Sequence, residues 1–422
     1  MKHLFFILSY TCCFTIYAQS QSKRILFLGN SYTYVNNLPE TLANAALSAG
    51  DTLLFDSNTP GGYTLEGHST NPTSLSKISE GGWDYVVLQE QSQRPAMPIG
   101  QVEIEVFPYA RFLDSVINNH NPCGETIFYM TWGRKNGDAS NCTMWPPVCT
   151  YLGMDSLLNL RYRMMADSNH AILSPVGAVW RYIRQNYPAI ELYQSDESHP
   201  SVAGTYAAAC SFYAAIFRND PLKITYNSTL PASEAAEIRN AARLVVYNNL
   251  NIWHIGEYDP RSSFNYSITS GNQLNCTNIS TNATEFLWDF GDGNFSSAIN
   301  PIHIYSLPGV YTVKLIATHC EMSDSTSRAI DIFVNINQPK EPLPLRLFYH
   351  PIISKLVLNQ FPSESLNYRI ADISGRIHMV GRIKVSEKQI DIQKLSPGMY
   401  IIEISTATKL IISYKFINDS QH

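Results

Sequence analysis

The chain has 422 residues, 45% hydrophobic and 15% charged, and 30 basic against 35 acidic residues give a net charge of −5. That length exceeds one ordinary core and leaves room for roughly two to four domains. The composition excludes extensive disorder, and the acidic balance offers no footprint for nucleic acid, so the expected partner is neutral or small.

Lys2 and His3 precede an apolar run from Leu4 to Tyr17 that ends at Ala18 before a polar stretch, as in an export signal over residues 1–18. The run is shorter than a membrane span, and no later segment predicts a transmembrane anchor. Export permits disulfides. Cys142 and Cys149 bracket a short loop and are one expected pair; Cys276 and Cys320 flank a β-rich segment and are the second. Cys123 and Cys210 are expected to be buried thiols, and no clustered Cys/His spacing predicts a metal site.

From Arg24 to about Gly256, short apolar runs alternate with helical stretches, which predicts an α/β fold with a parallel sheet. The strand candidates are Ile25 to Gly29, Leu53 to Ser57, Tyr85 to Gln89, Thr126 to Met130 and Ala171 to Ser174; each is nearly all apolar, as strands covered on both faces require. Helices are predicted from Leu38, with Asn37 as N-cap, from Pro200 through an alanine-rich stretch to Phe217, and from Ser233 to Asn248. After Tyr258 the pattern becomes all-β. A proline-rich linker over 338–344 separates two small β modules.

Ser31 directly follows the first strand, where an open α/β sheet places its ligands. A serine there can also bond only to local backbone. Asp196 and His199, in Ser195-Asp196-Glu197-Ser198-His199-Pro200, follow the last strand and precede a helix, and a bare helix cap would read the same way. Together these residues suit nucleophilic catalysis, because a hydroxyl needs an imidazole to take its proton and the imidazole needs an orienting anion. Oxyanion donors should come from other strand ends. Gly62 follows the second strand, and Gln91 or Gln93 follows the third; Gln91 is preferred by position. Trp132 can stack on a sugar, Arg134 can bind a carboxylate or hydroxyl, and His68 is a further substrate-binding candidate. Glu90 can serve as a glycosidase acid only with a partner carboxylate, which the sequence does not single out.

Residues 24–217 resemble the SGNH (GDSL-like) hydrolases, which mark their site by four short blocks. Asn30-Ser31-Tyr32-Thr33 matches the first, Gly62 the second and Asp196 to His199 the last; the third departs, with glutamine in place of the usual asparagine. The resemblance implies a flavodoxin-like three-layer sandwich with a parallel five-stranded sheet. It also implies metal-free and cofactor-free hydrolysis of acyl esters over a domain spanning 23–256. Acetyl or other acyl groups on carbohydrate are the expected substrate; a lipid or aryl ester, or an inactive carbohydrate-binding or adhesive surface protein, is the alternative.

Trp288-Asp289-Phe290-Gly291-Asp292-Gly293, Pro301 to Tyr305 and Gly309 to Val313 make residues 262–337 resemble a PKD domain, an immunoglobulin-like sandwich. Asp372-Ile373-Ser374-Gly375-Arg376, Leu395 to Ile402 and the basic ending near Lys415 make residues 345–420 resemble the type IX secretion C-terminal sorting domain of Bacteroidetes, although Tyr349-His350-Pro351 replaces the usual start. This implies secretion machinery as a partner and a secreted or cell-surface location.

Overall fold

The computed structural model describes residues 20–269, 271–332, 345–350, 354–359, 362, 364–406 and 409–418. The expected signal peptide and the linker over 338–344 lie outside these residues. The chain divides into two compact units at 334/335.

The first unit opens with five parallel strands: β1 (Ser22–Leu28), β2 (Thr52–Asn58), β3 (Tyr85–Leu88), β4 (Glu125–Tyr129) and β5 (Ile172–Ser174). Their spatial order is β2-β1-β3-β4-β5, the flavodoxin-like arrangement, whose ligand crevice lies beyond the carboxyl ends of the strands. Ile25, Leu26, Phe27 and Leu28 are all fully buried. That explains the unbroken apolar run: helices cover both faces of a parallel sheet and leave no solvent side for alternation.

The helices are α1 (Ser31–Tyr34), α2 (Leu38–Ser48), α3 (Leu65–Thr70), α4 (Pro72–Ser79), α5 (Ile99–Glu105), α6 (Phe107–His120), α7 (Tyr151–Asn169), α8 (Val176–Asn186), α9 (Val202–Phe217) and α10 (Ala232–Val245). Side chains of Asn30, Thr64, Asn71 and Ser201 cap α1, α3, α4 and α9 by accepting from backbone N–H groups of the first turn. Asn37 precedes α2 as expected but makes no such cap; its backbone is left-handed, and its amide turns to Glu40 Oε2 instead. Helix α9 is alanine-rich because nearly every position is buried; small side chains let it lie close between the sheet and its neighbouring helices.

The same unit continues into a β-sandwich. Strands β6 (Phe264–Thr269), β7 (Gln273–Asn278) and β10 (Ile302–Ile304) form a sheet ordered β10-β7-β6, facing a second sheet ordered β12-β11-β8-β9. The latter is built from β8 (Glu285–Asp289), β9 (Phe295–Ser296), β11 (Gly309–His319) and β12 (Met322–Ile332). Trp288, Phe264, Tyr305 and Leu315 fill the space between the sheets.

Two disulfides are present among the described residues, Cys142–Cys149 as expected and Cys123–Cys320 in place of Cys276–Cys320. Burial explains the correction. Cys276 points inward from β7 into the sandwich core and remains a thiol, whereas Cys320 is exposed at the tip of the β11–β12 hairpin. Cys123 precedes β4 and meets Cys320, 197 positions further along the chain. Cys210 is a buried thiol, as expected. Around this crosslink Arg218 pairs with Asp259 and, at 3.7 Å, with Glu125, and the Ser262 N–H donates to Asp324 Oδ2 at 2.7 Å. The sandwich therefore attaches at the amino ends of the parallel strands. A groove of about 370 Å³ between them is lined by Ser22, Asp84, Tyr85, Glu125 and Met322.

The second unit is all-β. Its sheets are β13 (Leu347–His350), β14 (Lys355–Leu358) and β17 (Gln389–Asp391), and β16 (Ile377–Ile383), β15 (Leu366–Asp372), β18 (Gly398–Ser405) and β19 (Leu410–Asn418). Leu356, Ile370, Ile390, Ile402 and Ile404 form its core. Among the described residues no helix is long and apolar enough to cross a membrane.

Candidate active site

Ser31 is the first residue of α1, presented by a tight turn out of β1. Gly29 is required there: a Cβ would stand 2.6 Å from Gln89 Oε1 and 2.7 Å from Thr33 Oγ1. Asn30 caps the turn, accepting from Tyr32 N–H at 3.1 Å and donating to the Tyr63 carbonyl at 2.8 Å.

The loop after Tyr193 brings His199 to Ser31, with Nε2 2.8 Å from Ser31 Oγ. Asp196 Oδ2 bonds His199 Nδ1, while Asp196 Oδ1 accepts the Ser198 and His199 backbone N–H groups at 3.0 and 2.9 Å. Burial raises the carboxyl's pKa, but the bonds from the His199 side chain and from these two N–H groups outweigh it and hold Asp196 below the usual carboxylate range. The loop folds back on itself, with Glu197 in left-handed backbone and Gln194 N–H donating to the His199 carbonyl at 2.8 Å. Asp196 is 46% exposed in its side chain, so water shares the solvation of this pair.

Gly62 and Gln91 line the same cleft, with Asn30, Ser31, Tyr32, Ser92, Arg134, Ser198 and His199; its volume is about 210 Å³. Gly62 adopts φ +71°, which a side chain would oppose. Among the described residues, neither the Ser31 nor the Gly62 backbone N–H has a protein acceptor. Gln91 Oε1 accepts from Gln93 N–H at 2.8 Å, and its amide nitrogen has only longer bonds, at 3.2 Å to Gln93 and 3.4 Å to Ser92. Gln93 turns away and donates to the buried Asp138 at 2.8 Å, so Gln91 is the glutamine of this pair that lines the cleft.

Arg134 reaches the cleft and is anchored by Asp138 at 3.2 Å. Asp138 also receives Asn141 Nδ2 at 2.6 Å, just before the loop closed by Cys142–Cys149. Two other expected substrate contacts are corrected. Trp132 is fully buried, stacked between Tyr32 at 4.6 Å and Trp180 at 3.7 Å, so no face is open to a sugar. Its indole N–H instead donates to the Ser198 carbonyl at 3.1 Å and supports the His199 loop. His68 is fully buried, with Nε2 2.9 Å from the Gly29 carbonyl and Nδ1 2.7 Å from Ser74 Oγ. Both ring nitrogens are occupied, and burial pushes its pKa down to about 4 despite the Gly29 bond, so it stays a neutral strut.

Gln89 emerges as a residue the sequence reading passed over. It is fully buried; Oε1 accepts from Asn30 N–H and Thr33 Oγ1, both at 2.9 Å, and Nε2 donates to Asn30 Oδ1 at 2.8 Å. It locks the Ser31 turn. The signal was a polar pair, Gln89-Glu90, closing a strand that is otherwise entirely apolar. Among the described residues no group of three or more His, Cys, Asp or Glu could hold a metal ion.

Residues 263–334 match the family model described as PKD domain, and residues 350–418 match that described as secretion system C-terminal sorting domain. A DUF4886 family protein from Bacteroides uniformis is 16% identical over 55% of this chain and 95% of its own, with a TM-score of 0.46. A protein assigned as an SGNH hydrolase from Slackia heliotrinireducens is 25% identical over 45% of this chain and 97% of its own, with a TM-score of 0.39. The collagenase ColQ1 of Bacillus cereus is 45% identical over 42 residues, 10% of this chain and only 4% of that protein's length. Along the chain, a five-stranded parallel α/β sandwich is thus followed by a segment that matches the PKD domain model and one that matches the sorting domain model.

Proposed function

We propose that the chain is a secreted serine ester hydrolase that removes short acyl groups, acetyl foremost, from carbohydrate. The observation that carries this reading is the relay of Ser31 Oγ, His199 Nε2 at 2.8 Å and Asp196 on the far ring nitrogen, opening on a cleft with unpaired backbone donors. In the first half-reaction Ser31 Oγ bonds to the acyl carbon while its proton passes to His199 Nε2. Asp196 accepts the Nδ1–H bond, fixes the tautomer and stabilises the imidazolium. The Ser31 and Gly62 N–H groups and the Gln91 amide receive the developing oxyanion. His199 then protonates the departing alcohol oxygen, leaving an acyl group on Ser31. Water repeats the sequence, giving its proton to His199 and releasing the acid.

The cleft, about 210 Å³ and lined mostly by residues with polar side chains, supports a short acyl group. Ligand pockets for drug-sized molecules are typically ~300–1,000 Å³, and a long lipid chain needs apolar room of that order. Arg134, held by Asp138, is suited to a sugar hydroxyl or carboxylate beside the ester. The same reading divides the chain into a signal peptide over 1–18, a hydrolase domain over 23–256, the PKD domain over 262–337 and the sorting domain over 345–420. Export would then use both ends of the chain.

Acetate release from acetylated xylan and hydrolysis of p-nitrophenyl acetate test the proposal. Ser31→Ala is expected to lower kcat by about 10⁶-fold, the scale seen on deleting a serine nucleophile. Equal rates for wild type and Ser31→Ala would overturn it.

A further inference from the structure

Glu90 is an unusual side chain for its position. It is fully buried just past β3, yet it has no cationic partner within salt-bridge distance among the described residues. Its carboxyl is spent on two backbone donors from different loops: Oε1 accepts Gln91 N–H at 2.6 Å, and Oε2 accepts Leu65 N–H at 3.2 Å. Leu65 opens α3, so its N–H has no partner within the helix. Leu65 lies three residues beyond Gly62, and Gln91 is the glutamine that lines the cleft.

Successive residues leaving a strand point to opposite sides, and here the two sides have separate tasks. Gln89 locks the turn that carries Ser31. Glu90 staples the loop that carries Gly62 to the loop that carries Gln91. We propose that Glu90 is a positioning residue for the oxyanion hole, fixing the spacing of two donors that belong to different strand ends. This rests on the ester-hydrolase reading above.

The consequence is a kinetic signature. A misplacement of about 1 Å in a catalytic group costs on the order of 10²-fold in rate, and the loss should fall on kcat because the oxyanion exists only beyond the ground state. Glu90→Ala is expected to lower kcat on p-nitrophenyl acetate about a hundredfold with KM within about threefold. Glu90→Gln keeps an acceptor for one N–H and sets an NH₂ against the other, so it should recover to within about tenfold of wild type. Hydrogen exchange at the Leu65 and Gln91 amides should accelerate in Glu90→Ala while strand β1 stays protected. Near-wild-type kcat in Glu90→Ala with a live wild type and a dead Ser31→Ala would overturn the positioning role and leave the hydrolase reading intact. A global loss of protection, or a KM rise that matches the kcat fall, would also overturn it, because either describes a merely structural residue. A wild type inert toward every ester overturns both.

Discussion

The two ends of one parallel sheet have opposite fates. At the carboxyl ends, loops from separate strands converge on an open, polar cleft whose members meet through single hydrogen bonds, Ser31 to His199 and Glu90 to Leu65 and Gln91. At the amino ends, Cys123, Glu125 and Arg218 join the β-sandwich through a covalent bond and an ion-pair cluster. The candidate site is held by separate hydrogen bonds. The other end is held by a crosslink. The sandwich therefore does not roof the cleft.

At the carboxyl ends the deepest losses fall on the relay. His199→Ala should reduce kcat about 10⁶-fold, like the loss of Ser31. Asp196→Asn should cost only about 10²- to 10³-fold, less than the ~10⁴ known for a buried aspartate, because the half-exposed Asp196 already shares its task with water. A fall as deep as that of His199→Ala, in steady-state kinetics on p-nitrophenyl acetate, would refute the sharing.

At the other end, Cys123→Ser with Cys320→Ser should leave kcat and KM unchanged and lower stability. Closing a loop of 197 residues is worth at most about 5 kcal/mol in the chain-entropy picture. Denaturant titration measures the loss, and a changed kcat would show that the two ends communicate.

A third test uses pH. Burial pushes Glu90 up to about 8 from its ordinary 4.5, against the opposing bonds from Gln91 and Leu65. The folded state therefore holds a proton that the unfolded state has released, and between those values stability falls as pH rises. His68, pushed down to about 4 by burial, acts in the opposite sense: stability is lost as pH drops from 6.5 toward 4. The two slopes oppose each other between about 4.5 and 6.5, and above 6.5 the Glu90 slope stands alone. From pH 6.5 to 8 its contribution is a loss of about 2 kcal/mol, which Glu90→Gln should abolish. A wild type and Glu90→Gln with parallel pH profiles in thermal unfolding would exclude this.

The smallest effect belongs to the cleft wall. Arg134→Gln should raise KM for acetylated xylan about threefold and leave p-nitrophenyl acetate unaffected, since one exposed charge-assisted bond contributes only about 1 kcal/mol. Equal changes on both substrates would place Arg134 in the chemistry instead.

How much of this was legible in the residues depends on whether the signal was local. The inner strands were, because a both-faces-buried strand is an apolar run that shows itself, and Ile25 to Gly29 differs from Ser22–Leu28 only at its ends; the edge strand Thr52–Asn58 is apolar too, yet Leu54 and Phe55 are exposed rather than covered on both faces. The order Ser31, Gly62 and Gln91 was legible because each follows a strand, and a parallel sheet gathers such residues at one edge; His199 comes after α8 and joins them through the loop before α9. The disulfide was not. Pairing within the β-rich segment reflected sequence proximity, whereas the bond depends on Cys276 facing a core and Cys320 capping a hairpin, and no spacing records that. Trp132 was misread for a similar reason: an aromatic residue beyond a strand can face substrate or core, and only Tyr32 and Trp180 on either side of it decide. Gln89 was hidden because its importance lies in three bonds to partners it meets only after folding.

The Cys123–Cys320 bond also bears on the order of assembly. Its halves belong to structures made 197 positions apart, and Cys320 reaches Cys123 only when both the parallel sheet and the hairpin have formed. Between them lies Cys276, a thiol sequestered once its own sandwich closes. Should oxidation outrun folding, the nearer cysteine is the one that captures Cys320, and the chain is trapped. A chain oxidised after the sandwich closes has only the native choice, so the timing of oxidation relative to folding becomes a check on whether the product is correctly built.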